Sequence, residues 1–94
     1  MRRAIQVIPA LVILETVARA GGTMPGESLF MELRKASDIS FGEFLRLLMV
    51  LELRGLIRVT SASEDRFFVH ITERALKMLT SREDSREESE NGID

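Results

Sequence analysis

At Gly55 the hydrophobic period of this chain changes. Before it, Phe44, Leu48 and Leu51 recur at spacings of four and three, which marks one buried stripe along a helix. After it, Leu56-Ile57-Arg58-Val59-Thr60 is rich in β-branched residues, Ser61 to Asp65 is polar, and Arg66 to Ile71 alternates. A helix that ends on glycine and runs straight into a hairpin requires a mixed α+β fold. Alternation places Phe67, Val69 and Ile71 on the face that meets the helices, with Arg66, Phe68 and His70 on the other.

The elements on either side are mainly helical. Ser40-Phe41-Gly42-Glu43 is a capping box, in which the Ser40 hydroxyl accepts from the Glu43 N–H and the Glu43 carboxylate accepts from the Ser40 N–H. A third helix is therefore expected from Phe41 to Arg54, with Gly55 as its left-handed terminator. Pro9 suits the first turn of an earlier helix, whose inward residues Ala10, Ile13, Leu14, Val17 and Ala18 run until Gly21-Gly22. Pro25 biases Met24 away from the α region. This predicts a second helix with Met24 as N-cap and Pro25 at its first position, buried through Leu29, Phe30 and Leu33 and ending near Lys35. Ala36 to Ile39 connect it to the third. After the hairpin Thr72 caps a last helix, Glu73 to Leu79, with Ala75, Leu76 and Leu79 facing inward.

A chain of 94 residues has room for one such domain, placed at residues 5–79. Residues 80–94 hold six acids against two arginines and a single aliphatic residue, Ile93. That is too little apolar surface to offset the entropy of ordering, so a disordered acidic tail is expected there. It carries −4 of a total of −2, which leaves +2 on the rest. Arg2 and Arg3 before the apolar run Ala4 to Leu14 imitate a signal peptide, but Gln6 and Pro9 interrupt the run and Glu15 and Arg19 sit where a neutral cleavage region belongs. No stretch approaches the ~20 apolar residues of a membrane span. A cytoplasmic protein, with no membrane partner, is the expectation.

Catalysis needs a convergent nucleophile, base and orienting group. This chain has no Cys, one His, no glycine-rich phosphate loop and no H-E-x-x-H spacing, so neither an enzyme nor a cofactor or metal site is expected. His70 has no nearby Cys, Asp or Glu pattern and reads as a packing residue on a strand face.

The run Phe44-x-x-x-Leu48-x-x-Leu51-Glu52-x-x-Gly55-Leu56-Ile57 is similar to the end of the recognition helix and its entry into the wing in bacterial and archaeal winged helix-turn-helix regulators. Ile71-Thr72-Glu73-Arg74-Ala75 resembles the strand-to-helix junction written L-T-E-x-G in those families, with Ala75 in place of the glycine. The resemblance spans about residues 9–79. It implies three helices, a β-hairpin wing and a closing C-terminal helix, in a DNA-binding transcriptional regulator that is commonly a dimer.

In such a domain the third helix enters the major groove and the wing grips the backbone or minor groove. Helical geometry with Phe44, Leu48, Leu51 and Gly55 inward leaves Gly42, Leu45, Arg46, Met49, Val50 and Leu53 outward. Arg46 is the one cation there and the candidate for bidentate donation to guanine, the alternative being an ion pair with Glu43. Glu43 also suits acceptance from cytosine, although capping already explains it. Gly42 permits close approach to a phosphate, Ser40 stands at the positive helix end, and Arg34 and Lys35 end the preceding helix. Arg58 and Arg66 flank the wing as candidate phosphate contacts, or pair across the hairpin with Glu64 and Asp65. The apolar outer residues Leu45, Met49, Val50 and Leu53 suit a protein partner instead, so the alternative to double-stranded DNA is a winged helix serving as an interaction module in a larger assembly.

A homodimer is expected through the N-terminal segment and first helix. Ile5, Val7 and Ile8 precede that helix, and Leu11 and Val12 lie off its inward stripe. A two-fold pairing would cover them, and would set two recognition helices about 34 to 36 Å apart.

Overall fold

The computed structural model describes residues 8–81. Its elements in chain order are α1 (Pro9–Arg19), β1 (Thr23–Pro25), α2 (Gly26–Ala36), α3 (Phe41–Leu53), β2 (Ile57–Ser61), β3 (Phe67–Ile71) and α4 (73–81). The three strands form one antiparallel sheet in the order β1-β3-β2. The helices pack on one of its faces, α1 against α2, β1 and β3, and α3 against β2. Ile13, Leu14 and Val17 of α1 meet Leu29 and Leu33 of α2, the α3 stripe of Phe44, Leu48 and Leu51, and Ile57 and Val69 of the sheet in one buried cluster.

The start and end of α3 are built as its sequence requires. Ser40 Oγ accepts from the Glu43 N–H at 3.1 Å, and Glu43 Oε1 accepts from the Ser40 N–H at 3.0 Å. At the far end Arg54 is the C-cap and Gly55 has φ of 76°, a conformation that costs an L side chain dearly but glycine little. The Leu56 N–H then reaches Leu51 O and the Gly55 N–H reaches Glu52 O, both at 3.0 Å. This Schellman closure turns the chain from helix into β2 within two residues. A side-chain bond adds to it, since Glu52 Oε2 accepts from the Val59 N–H at 3.1 Å on the outer edge of β2.

The start of α2 differs from expectation. Met24 is neither a cap nor solvent-facing: it is buried in β1, opposite Val69 of β3. Pro25 is the N-cap and the helix begins at Gly26. Strand pairing takes Thr23 to Pro25 because β3 offers an open edge, and three residues so paired hide Met24 in the core. Glycine suits position 26, because a Cβ there would run into the ring of Phe67 and force it to move.

A second difference concerns α4. Thr72 caps it as expected, accepting from the Ala75 N–H at 3.2 Å while donating to Gly55 O at 2.8 Å. Ala75 is fully buried and Leu79 packs against the core, but Leu76 is 43% exposed rather than inward. The helix leans on the core through its smallest side chain, and so narrow a contact leaves the flank that carries Leu76 in solvent. The helix continues through residue 81, two beyond the expected domain end; the acidic segment from residue 82 onward, and Ile5 and Val7, lie outside the described residues.

Candidate nucleic-acid interface

The outer side of α3 is exposed as the helical geometry demands. Gly42, Glu43, Leu45, Arg46, Met49, Val50 and Leu53 all face solvent. Phe41, Leu45, Met49 and Leu53, four residues apart along the helix, make one continuous apolar ridge, on which Met49 is 61% and Leu53 86% exposed. Among the described residues Arg46 makes no ion pair with Glu43. It lines a shallow concavity with Pro9, Asp38, Ile39, Leu47 and Val50, at the edge of α3 that faces the α2–α3 connection.

The other candidate cations fall into two groups. Arg34 and Lys35, at the end of α2, already have partners: the Arg34 guanidinium lies 5.7 Å from the centroid of the Phe30 ring, and Lys35 Nζ is 3.1 Å from Glu32 Oε2. Both contacts are solvent-exposed and weak enough to exchange for a phosphate. Arg58 and Arg66 form no cross-strand pair with Glu64 or Asp65 among the described residues. They lie apart. Arg58 sits at the base of the hairpin, on the row of the sheet that holds His70 and Thr23. Arg66 closes the hairpin loop, its carbonyl accepting from the Ala62 N–H at 2.8 Å, and it faces the start of α3.

The positive end of α3 is partly taken. Ser40 occupies the Glu43 N–H, and the Glu43 carboxylate stands beside the same turn as an intramolecular anion. Gly42 is open: a Cβ on it would meet only Ser40 Oγ, at 4.0 Å. Internal packing therefore gives no reason for a glycine there. His70 is tied on both sides, Nδ1 to Thr23 Oγ1 at 2.9 Å and Nε2 to Thr60 Oγ1 at 2.7 Å, so one imidazole links β1 and β2 across β3. This is the strand-face role expected of it.

Sequence reasoning missed one feature of this surface. Between the starts of α2 and α3 and the end of the hairpin lies a groove of about 620 Å³ lined by Phe30, Phe41, Phe67 and Phe68, with Pro25, Glu27, Ser28, Asp65 and Arg66. The chain has five Phe and neither Trp nor Tyr, and the fifth, Phe44, supports the groove from beneath. Its ring centroid is 5.1 Å from that of Phe30 and 5.8 Å from that of Phe41. The only trace in the sequence is this composition, since residues 30, 41, 67 and 68 meet only once the hairpin has folded back onto α2.

No family model matches the sequence, and no curated protein matches it. Among solved structures the chain is similar to F93 from STIV, described as a winged-helix DNA-binding protein, with a TM-score of 0.69 and 21% identity. The match covers 90% of this chain and 94% of that one. The chain has the winged-helix fold. In its terms α3 is the third helix and β2–β3 the hairpin, and the missed strand β1 is the third member of the sheet. Among the described residues, no helix is long and apolar enough to cross a membrane.

Proposed function

We propose that this winged helix binds duplex DNA as a small cytoplasmic transcriptional regulator, through the exposed start of α3 and the wing. The observation that carries the reading is the end-to-end likeness to F93, whose description names DNA binding. In this reading Arg46 contacts a guanine edge, Arg34, Lys35, Arg58 and Arg66 neutralise phosphates, and the helix start at Ser40 and Gly42 approaches the backbone, where the absence of a packing reason for Gly42 supports close contact. Glu43 remains a capping group first. The domain is taken as residues 5–81, because α4 continues past the expected end at residue 79, and the acidic segment after it as a solvating tail. No catalytic step is assigned to any residue.

The same reading includes a homodimer through the N-terminal segment and α1. Ile8 is 60% exposed and Leu11 half-buried, which supports it; Val12 is half-buried against its own core and contributes less.

The test is the salt dependence of binding. The full chain titrated with mixed-sequence duplex should show log affinity falling linearly with log salt, by about 0.9 for each phosphate neutralised. A flat response rejects the reading. It would then favour a protein-interaction module, the second reading, which the apolar ridge of α3 supports directly.

A further inference from the structure

We propose that the phenylalanine groove between the wing and the starts of α2 and α3 receives one unstacked nucleobase of bound DNA. This rests on the DNA reading above and extends it, because it assigns a preference for DNA in which a base has left the stack. Every nucleobase has a π-face that stacks on aromatic rings irrespective of sequence, and such platforms are how proteins hold bases outside a duplex.

The groove is suited to that occupant in shape, in rim chemistry and in place. Its walls are already assembled: the Phe30 and Phe41 rings meet edge to face at 5.1 Å, and Phe67 lies hard against Gly26, where no other residue would leave it room. A preformed aromatic wall takes a flat ring with little further loss of side-chain freedom. The rim offers acceptors at Glu27 and Asp65, a donor at Arg66, and a hydroxyl of both kinds at Ser28. This mixed set matches the edge of a base, which presents amino donors beside ring and carbonyl acceptors. Finally, Phe41 is the first residue of α3 and Arg66 immediately precedes β3, so the groove lies between the two elements assigned to DNA, with Arg66 placed for the phosphate of the same nucleotide.

Four DNAs of one sequence test the assignment against the full chain: a fully paired duplex, the same duplex with one bulged adenine, the same with an abasic bulge, and the single strand. The bulged adenine should raise affinity about tenfold over the paired duplex. The abasic bulge, which bends as readily but carries no base, should return it to the paired value. In the adenine complex the phenylalanine ring protons should shift upfield under the added base, a readout on the unaltered protein. Phe67→Leu, which removes the ring lying against Gly26, should abolish the tenfold preference and leave paired-duplex affinity unchanged. Equal affinity for adenine and abasic bulges, or unmoved ring protons, overturns the inference and leaves the DNA reading standing. The absence of salt-dependent binding to all four overturns both.

Discussion

Along α3, Phe44, Leu48 and Leu51 point into the molecule and are buried, whereas Phe41, Leu45, Met49 and Leu53, just as apolar, follow one another at every fourth residue on the side that meets solvent. Hydrophobic content does not distinguish the two faces. What separates them is the Schellman turn at Gly55, which sends β2 back along one side of the helix and leaves the other uncovered. The inner face is therefore read by the fold and the outer face by whatever binds. Burial assigns stability to the first and leaves the second free for a partner.

The largest test of that division is a matched pair of truncations. Phe44→Ala removes a fully buried ring that supports both Phe30 and Phe41, and it should cost about 3 to 5 kcal/mol in chemical denaturation. Leu53→Ala, on the opposite face, should stay within about 0.5 kcal/mol. Comparable losses would mean that the outer ridge is buried in the protein in solution. Next in size is Gly26→Ala. The added methyl must displace the Phe67 ring, at about 1 to 3 kcal/mol. Combining it with Phe67→Leu should recover part of the loss, and strict additivity of the two changes would show that the contact is not what favours glycine there.

The inner face was legible because its determinants are local. The capping box at Ser40, the stripe ending at Leu51 and the terminator Gly55 each act within about four residues, and the structure carries all three. Strand β1 was not legible, since Thr23 to Pro25 have no strand character apart from pairing with β3, 47 positions away at Thr23–His70. The bond from Glu52 to Val59 and the exposure of Leu76 likewise depend on how elements meet. For the candidate site the cations could be named from sequence, and the Lys35–Glu32 pair at i,i+3 was open to view. The stacking of Arg34 on Phe30 and the gathering of four Phe into one groove were not, because they belong to the tertiary arrangement.

A smaller effect is expected at the junction of the two faces. Ser40→Ala removes the acceptor for the Glu43 N–H and should cost about 1 kcal/mol, while Ser40→Asp, which restores an acceptor and adds charge at the positive helix end, should cost much less. A melting series on the two variants checks the order. Equal losses would place the contribution of Ser40 outside capping.

The smallest change in stability, within about 0.5 kcal/mol, belongs to Met49→Lys, because the side chain it replaces is 61% exposed at the middle of the ridge. Its value lies in binding. If the outer face of α3 sits in a groove lined by phosphates, a cation at this position gains a partner, and the slope of log affinity against log salt should steepen by about one. Leu76→Lys adds the same charge at an exposed apolar position on α4, away from α3, and should leave the slope unchanged. Arg66→Ala supplies the opposite sign, a slope shallower by about one through loss of a wing contact. A steeper slope from both lysine variants would reduce the effect to net charge. An unchanged slope for Met49→Lys, with the Arg66→Ala effect intact, would take the ridge off the DNA while keeping the wing on it, and would leave the outer face of α3 to a protein partner.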